Sequence, residues 1–164
     1  MTPGKTILIT GGTGLVGKHL QHQLLVRGYN IKVLSSNESA CDGITIFYWN
    51  ITSGYIDIRA IENVNYIVHL AGANIAQKRW TAAQKQNILD SRIKSMQLLY
   101  SAIDKSTHQL SAVISSSGAG YYGAYTNEKI YHESDTAAED FLGSICLQWE
   151  NSVSQFSELK IRTV

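Results

Sequence analysis

Residues 10–17 read Thr10-Gly11-Gly12-Thr13-Gly14-Leu15-Val16-Gly17. The stretch follows an apolar run of strand length, residues 5–10. It opens a helical pattern over residues 14–27, in which Leu20 and Leu24 share a face and Gly28 supplies the stop. A glycine pattern that is weak on its own becomes informative between a buried strand and a helix. Each glycine has a separate physical task. Gly11 permits a turn too tight for a Cβ, Gly14 lets a pyrophosphate come close to the backbone, and Gly17 lets the helix lie against the sheet. The helix start then offers unpaired N–H groups and a positive dipole end to phosphate oxygens. Gly11, Thr13, Gly14 and Gly17, with the helix start at Leu15 and Val16, are therefore expected to form a dinucleotide-binding turn.

Outward from this turn the patterns alternate. Residues 31–34, 44–49, 66–70 and 110–115 read as strands, and a further strand begins at residues 160–164. Residues 56–62 read as a short helix and residues 139–156 as a longer one. The longest helix is expected at 81–105, where Thr81 and Gln84 form a capping box and Ile88, Ile93, Met96, Leu99 and Ile103 recur at helical period. Residues 121–138 are polar and irregular. Strands alternating with helices imply right-handed crossovers and a parallel sheet. The expected fold is α/β, a Rossmann-type doubly wound parallel sheet in three α/β/α layers. Residues 1–164 form one NAD(P)-binding domain in this reading, with the last strand incomplete.

The chain has 164 residues, 44% of them hydrophobic, with 14 Lys and Arg against 13 Asp and Glu. That mixture excludes a disordered chain, and a net charge of +1 gives no basic surplus for nucleic acid. No apolar run approaches the roughly 18 residues of a membrane span. Cys41 and Cys146 form neither a disulfide framework nor a CxxC pair, which suits a reducing, cytoplasmic location. His19 and His22 lie three apart without a further ligand nearby, so no metal is expected. An NAD site ordinarily places a carboxylate about 20 residues beyond the glycines, for the ribose hydroxyl. Here Ser35-Ser36-Asn37 stand there instead, and Lys32 is the cation close in sequence. Ser35 and Ser36 are expected at the adenosine end, with NADP preferred and NAD the second choice.

Three further stretches carry a family resemblance. Residues 69–74 read His-Leu-Ala-Gly-Ala-Asn, followed by Arg79-Trp80-Thr81 and Leu89-Asp90-Ser91-Arg92-Ile93. Residues 115–123 read Ser-Ser-Ser-Gly-Ala-Gly-Tyr-Tyr-Gly, and His132-Glu133-Ser134-Asp135, Asp140-Phe141-Leu142 and Trp149-Glu150 follow. In this order they resemble the atypical, epimerase-family group of the extended short-chain dehydrogenase/reductases across essentially the whole chain. Members of that group are often labelled sugar-nucleotide epimerases or cell-division inhibitors. The resemblance implies that Leu70, Ala71 and Gly72 line the adenine and ribose side, and that Ser115, Ser116 and Ser117 lie beneath the nicotinamide. It further implies that the chain is the front part of a longer protein.

Active members of the superfamily pair a Tyr with a Lys four residues later on a helix, and a Glu often follows four residues after the Lys. With Glu150 as that Glu, the Lys position falls on Cys146 and the Tyr position on Leu142. A formal YxxxK, Tyr125 to Lys129, lies in the polar stretch, where the two side chains need not share a face. The catalytic candidates are then Ser117, or Ser116 beside it, as a hydrogen-bond donor to a substrate oxygen, and Tyr121 or Tyr122, as proton carriers. The leading expectation is an NADP-dependent oxidoreductase or epimerase-like protein acting on a small carbonyl or sugar-nucleotide substrate. The alternative is a non-catalytic dinucleotide-binding sensor or protein-interaction module, of the cell-division-inhibitor kind. With the substrate half missing, weak or no turnover is expected. The edge beside the last strand favours pairing into a homodimer or aggregation.

Overall fold

The computed structural model describes residues 4–37, 44–124 and 128–164. The chain runs β1 (Thr6–Thr10), α1 (Leu15–Val26), β2 (Asn30–Ser35), β3 (Thr45–Asn50), β4 (Tyr55–Ile56), β5 (Tyr66–His69), α2 (Ala82–Asp104), β6 (Ala112–Ser115), α3 (Phe141–Ser154) and β7 (Arg162–Thr163). The strands form one seven-stranded sheet in the order β4-β3-β2-β1-β5-β6-β7. Every neighbouring pair is parallel except β3 and β4. The chain winds outward from β1 to β4, then returns to lay β5 on the other side of β1. The point where the winding reverses therefore lies between β1 and β5, and in open parallel sheets ligands bind at that crevice.

Continuous apolar strands follow from burial on both faces. Ile7 and Ile9 of β1 pack with Ile31 and Val33 against Leu20 and Leu24 of α1. Leu8 faces the opposite layer, where Met96, Leu99 and Ile103 of α2 meet Trp149 and Val153 of α3 and Phe156 beyond it. One face thus carries α1 and the other carries α2 and α3, the three layers expected.

The edge of the sheet differs from the expectation of a short helix at 56–62. Tyr55 and Ile56 instead pair antiparallel with Asn50 and Trp49. The reason is turn chemistry. Gly54 adopts φ +69°, and the Asn50 side chain accepts from the Ser53 amide at 3.1 Å, which folds residues 50–55 into a hairpin. Only Ile58–Ala60 turns helically, capped by Asp57. At the other end, the helix expected over 139–156 begins two residues later and gives way to a tighter turn at Gln155–Leu159.

Asp140 sets that start. Its carboxylate accepts from the Gly143 amide at 2.8 Å and from the Ala124 amide at 3.1 Å. It therefore caps α3 and ties down the loop after the Gly-Tyr-Tyr-Gly turn, and these amides hold its pKa below the usual carboxylate value. Asp140→Ala is expected to lower the melting temperature by roughly 2–4 °C, the effect of one lost cap in a domain of this size. Asp140→Asn, which keeps an acceptor oxygen, should restore most of it. Equal melting curves for both variants and the parent would show that the cap contributes nothing.

Candidate functional site

The glycine turn is built without room for side chains. Gly11 has φ +69°, and a Cβ there would lie 2.7 Å from the Leu70 carbonyl carbon and 2.8 Å from the Ala71 nitrogen. The Gly14 amide donates to the Gly11 carbonyl at 3.0 Å and closes the loop. A Cβ on Gly17 would sit 2.5 Å from the Gly11 oxygen and 2.6 Å from the Gly12 Cα. Gln21, buried on α1, staples the turn by donating to the carbonyls of Gly12 at 2.6 Å and Gly17 at 3.1 Å. This residue is invisible to motif reading. Its one signal is a polar amide one helical turn beyond Gly17, on the face that packs inward.

Gly14 caps α1 with bare backbone, and the first turn holds no acidic residue. Leu15 and Val16 are exposed, at 90% and 65%. An uncapped helix N-terminus facing open space, with no carboxylate to compete, fits a phosphate group.

Beside the turn is a cleft of about 490 Å³ that Gly11, Thr13, Ser35, Ser36, Ala71 and Gly72 help to line. Tyr48, Trp49 and Asn50 of β3 complete it. Six of the expected dinucleotide contacts thus meet at one place. No cation lines this cleft among the described residues. Lys32 is committed elsewhere: its ammonium donates to the carbonyls of Arg59 at 2.7 Å and Glu62 at 2.8 Å and lies over the Phe47 ring. Burial pulls its pKa below the ordinary lysine value.

A second cleft, of about 650 Å³, lies past the end of β6. Ser115, Ser116, Ser117, Tyr121 and Tyr122 line it together with Glu133, Trp149 and Glu150. The Ser117 hydroxyl donates to Glu150 Oε1 at 2.5 Å. Ser115 Oγ is buried with no hydrogen-bond partner among the described residues. The Tyr121 and Tyr122 rings meet edge to face at 5.1 Å, and Tyr122 stacks on Tyr131. The Tyr122 hydroxyl donates to the His132 carbonyl at 3.1 Å. Burial, then the charges of Glu133 and Asp135, push its pKa up and keep it protonated.

Leu142, Cys146 and Glu150 follow at four-residue spacing on α3 and so share a face. Leu142 packs at Gly120 and the Cys146 thiol points to the Gly118 carbonyl at 3.8 Å. Burial pushes that thiol's pKa up, leaving it a weak nucleophile. Of the formal YxxxK, Tyr125 lies outside the described residues, as does Cys41, and Lys129 pairs with Asp135 at 3.4 Å. Among the described residues, no three His, Cys, Asp or Glu side chains converge to hold a metal ion. No described helix is long and apolar enough to cross a membrane.

A turn of bare backbone at the switch point of a doubly wound sheet defines the dinucleotide-binding α/β class. Residues 7–144 match the model of the NAD dependent epimerase/dehydratase family, and the chain belongs to that family. An epimerase family protein of Mycobacterium bovis is 34% identical over 158 residues, 96% of this chain and 51% of the relative. Another, from Staphylococcus aureus, is 32% identical over 160 residues, 98% of this chain and 53% of the relative. The chain thus spans about half the length of the curated relatives it matches. Among solved structures, the human epimerase family protein SDR39U1 (isoform 2) with NADPH is 27% identical, with a TM-score of 0.74 over 90% of this chain and 48% of that one. The nucleoside-diphosphate sugar epimerase of Corynebacterium glutamicum is 28% identical, with a TM-score of 0.81 over 99% of this chain and 33% of that one.

Proposed function

We propose that the chain carries the cofactor-binding part of an NAD(P)-dependent oxidoreductase or nucleotide-sugar epimerase-like protein, and that it takes NADP(H). The observation that carries this reading is the turn at residues 11–17. It leaves no space for a Cβ at Gly11 or Gly17 and ends in an uncapped helix at the switch point. A dinucleotide laid across both clefts puts its adenosine at Ser35 and Ser36, its phosphates at the turn, and its nicotinamide at Ser115 and Ser116.

The preference for NADP follows from the end of β2. Among the described residues no carboxylate lines the cleft at Ser35 and Ser36 to repel a 2′-phosphate, and Ser35 Oγ already shapes the backbone by accepting from the Asn37 amide at 3.1 Å. A human relative solved with NADPH points the same way. Calorimetric titration should give an NADPH dissociation constant on the order of micromolar and weaker binding of NADH. Equal affinities would remove the preference. No binding of either would remove the function.

A nicotinamide bound in the second cleft would exchange a hydride with a substrate carbon. Ser117 is then placed to hydrogen-bond the substrate oxygen, with Tyr121 or Tyr122 as the proton carrier. The substrate is a small carbonyl compound or a sugar nucleotide, met partly by the length that the relatives have and this chain does not span. Ser117→Ala in the full-length protein is expected to abolish hydride turnover while leaving NADPH affinity within about twofold. One observation favours a second reading, that of a non-catalytic sensor. Leu142 and Cys146 stand where Tyr and Lys would act. A protein that binds NADPH tightly but turns over no carbonyl or sugar-nucleotide substrate would be that sensor.

A further inference from the structure

The guanidinium of Arg92 is a half-buried charge without an acid. Its Nη1 donates to the carbonyls of Ala73 at 3.2 Å and Ile88 at 3.1 Å, and its Cζ lies over the Trp149 ring at 5.0 Å. The ion pairs of the described residues are Arg59 with Asp57, Lys94 with Asp90 and Lys129 with Asp135, and none includes Arg92. The ionisable side chains that feel its charge are His69, which is neutral, and Cys146, which burial keeps a thiol. A charge drawn out of water is ordinarily matched by a counter-charge. Among the described residues Arg92 has none.

Its position says what the missing partner is. Arg92 touches a wall of each cleft. Trp149 lines the cleft at Ser117, and Gly72, where a Cβ would come 3.1 Å from Arg92 Cζ, lines the cleft at Ser35. The ends of β1 and β5 lie between Ser35 of β2 and Ser115 of β6, so a molecule reaching from one cleft to the other would cross the end of β5, beyond which Gly72 meets Arg92. In a dinucleotide the middle is the pair of linked phosphates. The glycine turn, on the adenosine side, takes the first of them. The second lies toward Trp149, whose buried indole N–H also has no acceptor among the described residues.

We infer that Arg92 is the cation that grips the nicotinamide-side phosphate and ribose of the bound dinucleotide, an inference resting on the dinucleotide reading above. The planar fork suits this task, since one edge is anchored to Ala73 and Ile88 and the other stays available to an oxyanion. The inference also accounts for Cys146. That thiol occupies the helix position where the family resemblance places a lysine, and the positive charge arrives instead from the neighbouring helix α2.

The test is calorimetric titration of the unaltered chain and of Arg92→Met, Arg92→Lys and the double variant Arg92→Met with Cys146→Lys. The probes are NADPH and 2′,5′-ADP, which carries the adenosine half alone. Arg92→Met is expected to weaken NADPH roughly tenfold to hundredfold, the worth of a charge-assisted contact, and to leave 2′,5′-ADP within about twofold. Arg92→Lys should fall between. Cys146→Lys should recover most of the loss, because it returns an ammonium to the same locality. Equal weakening of both probes would overturn the inference and make Arg92 a purely structural side chain. Unchanged NADPH affinity would overturn it as well. Should Arg92→Met fail to fold, Arg92→Lys and the double variant decide by the same comparison. An unaltered chain that binds 2′,5′-ADP but not NADPH removes this inference alone, whereas one that binds neither removes the dinucleotide reading with it.

Discussion

Gly17→Ala is expected to destabilise the chain by about 1–3 kcal/mol and to abolish measurable NADPH binding. On an ordinary helix the same change would stabilise by roughly 0.5–1 kcal/mol, because alanine loses less backbone entropy than glycine. Here the sign reverses. The new methyl would lie 2.5 Å from the Gly11 oxygen and 2.6 Å from the Gly12 Cα, both backbone atoms of the loop that α1 leans on. Neither can turn aside as a flexible side chain would. The helix must back away, and Gln21 then loses its grip on the Gly12 and Gly17 carbonyls. Urea unfolding measures the first effect and calorimetry the second. A variant as stable as the parent that still binds NADPH would show that the close approach is not required.

The second large effect is a loss of stability in mild acid that a single residue governs. His69 is fully buried between β1 and α2. The Ser95 hydroxyl donates to the Arg92 carbonyl at 2.8 Å, so its oxygen accepts from His69 Nε2–H at 3.2 Å. His69 Nδ1 then accepts from the Thr10 hydroxyl at 2.8 Å. Both ring nitrogens are satisfied only in the neutral form, and a second proton has no acceptor. Burial, then the nearby Arg92 charge, lower the pKa from 6.5 to about 3. Above pH 6.5 the folded and unfolded chains carry the same charge at this residue, and its neutrality costs nothing. Below that pH the unfolded chain takes up a proton that the folded one refuses until about pH 3. Stability must therefore fall with a slope approaching ~1.4 kcal/mol per pH unit, reaching about 2 kcal/mol by pH 5. His69→Asn should unfold more easily at pH 8 yet show a flatter decline between pH 6.5 and 5. An unchanged slope would mean that His69 is charged in the folded protein.

The fold was legible wherever local pattern and tertiary demand agree. The apolar run at 5–10, the cap at Thr81 and the glycine turn each specify one structure, and the parallel pairing follows from the alternation of strands and helices. The hairpin at Tyr55 and Ile56 was not legible as such. Its two paired residues are too few for strand periodicity to register, and its turn rests on Asn50 folding back onto Ser53. The site was legible in the same measure. Residues that act through their backbone betray themselves by lacking side chains. Residues that act through a partner far along the chain do not. Ser117 meets Glu150 across 33 positions. Arg92, on a helix whose inward pattern is apolar, gains its setting only when α3 brings Trp149 over it. Lys32 shows the converse: it is the cation nearest to Ser35 in sequence, yet its ammonium is committed to the carbonyls of Arg59 and Glu62.

Of the three tryptophans, Trp49 lines the cleft at Ser35 and Trp149 the cleft at Ser117, while Trp80 is 41% exposed. The molecule therefore carries a native fluorophore at each end of the region a dinucleotide would cover. Because indole emission overlaps the absorption of reduced nicotinamide, single Trp→Phe replacements would let arrival of either half be timed separately, without attaching a dye.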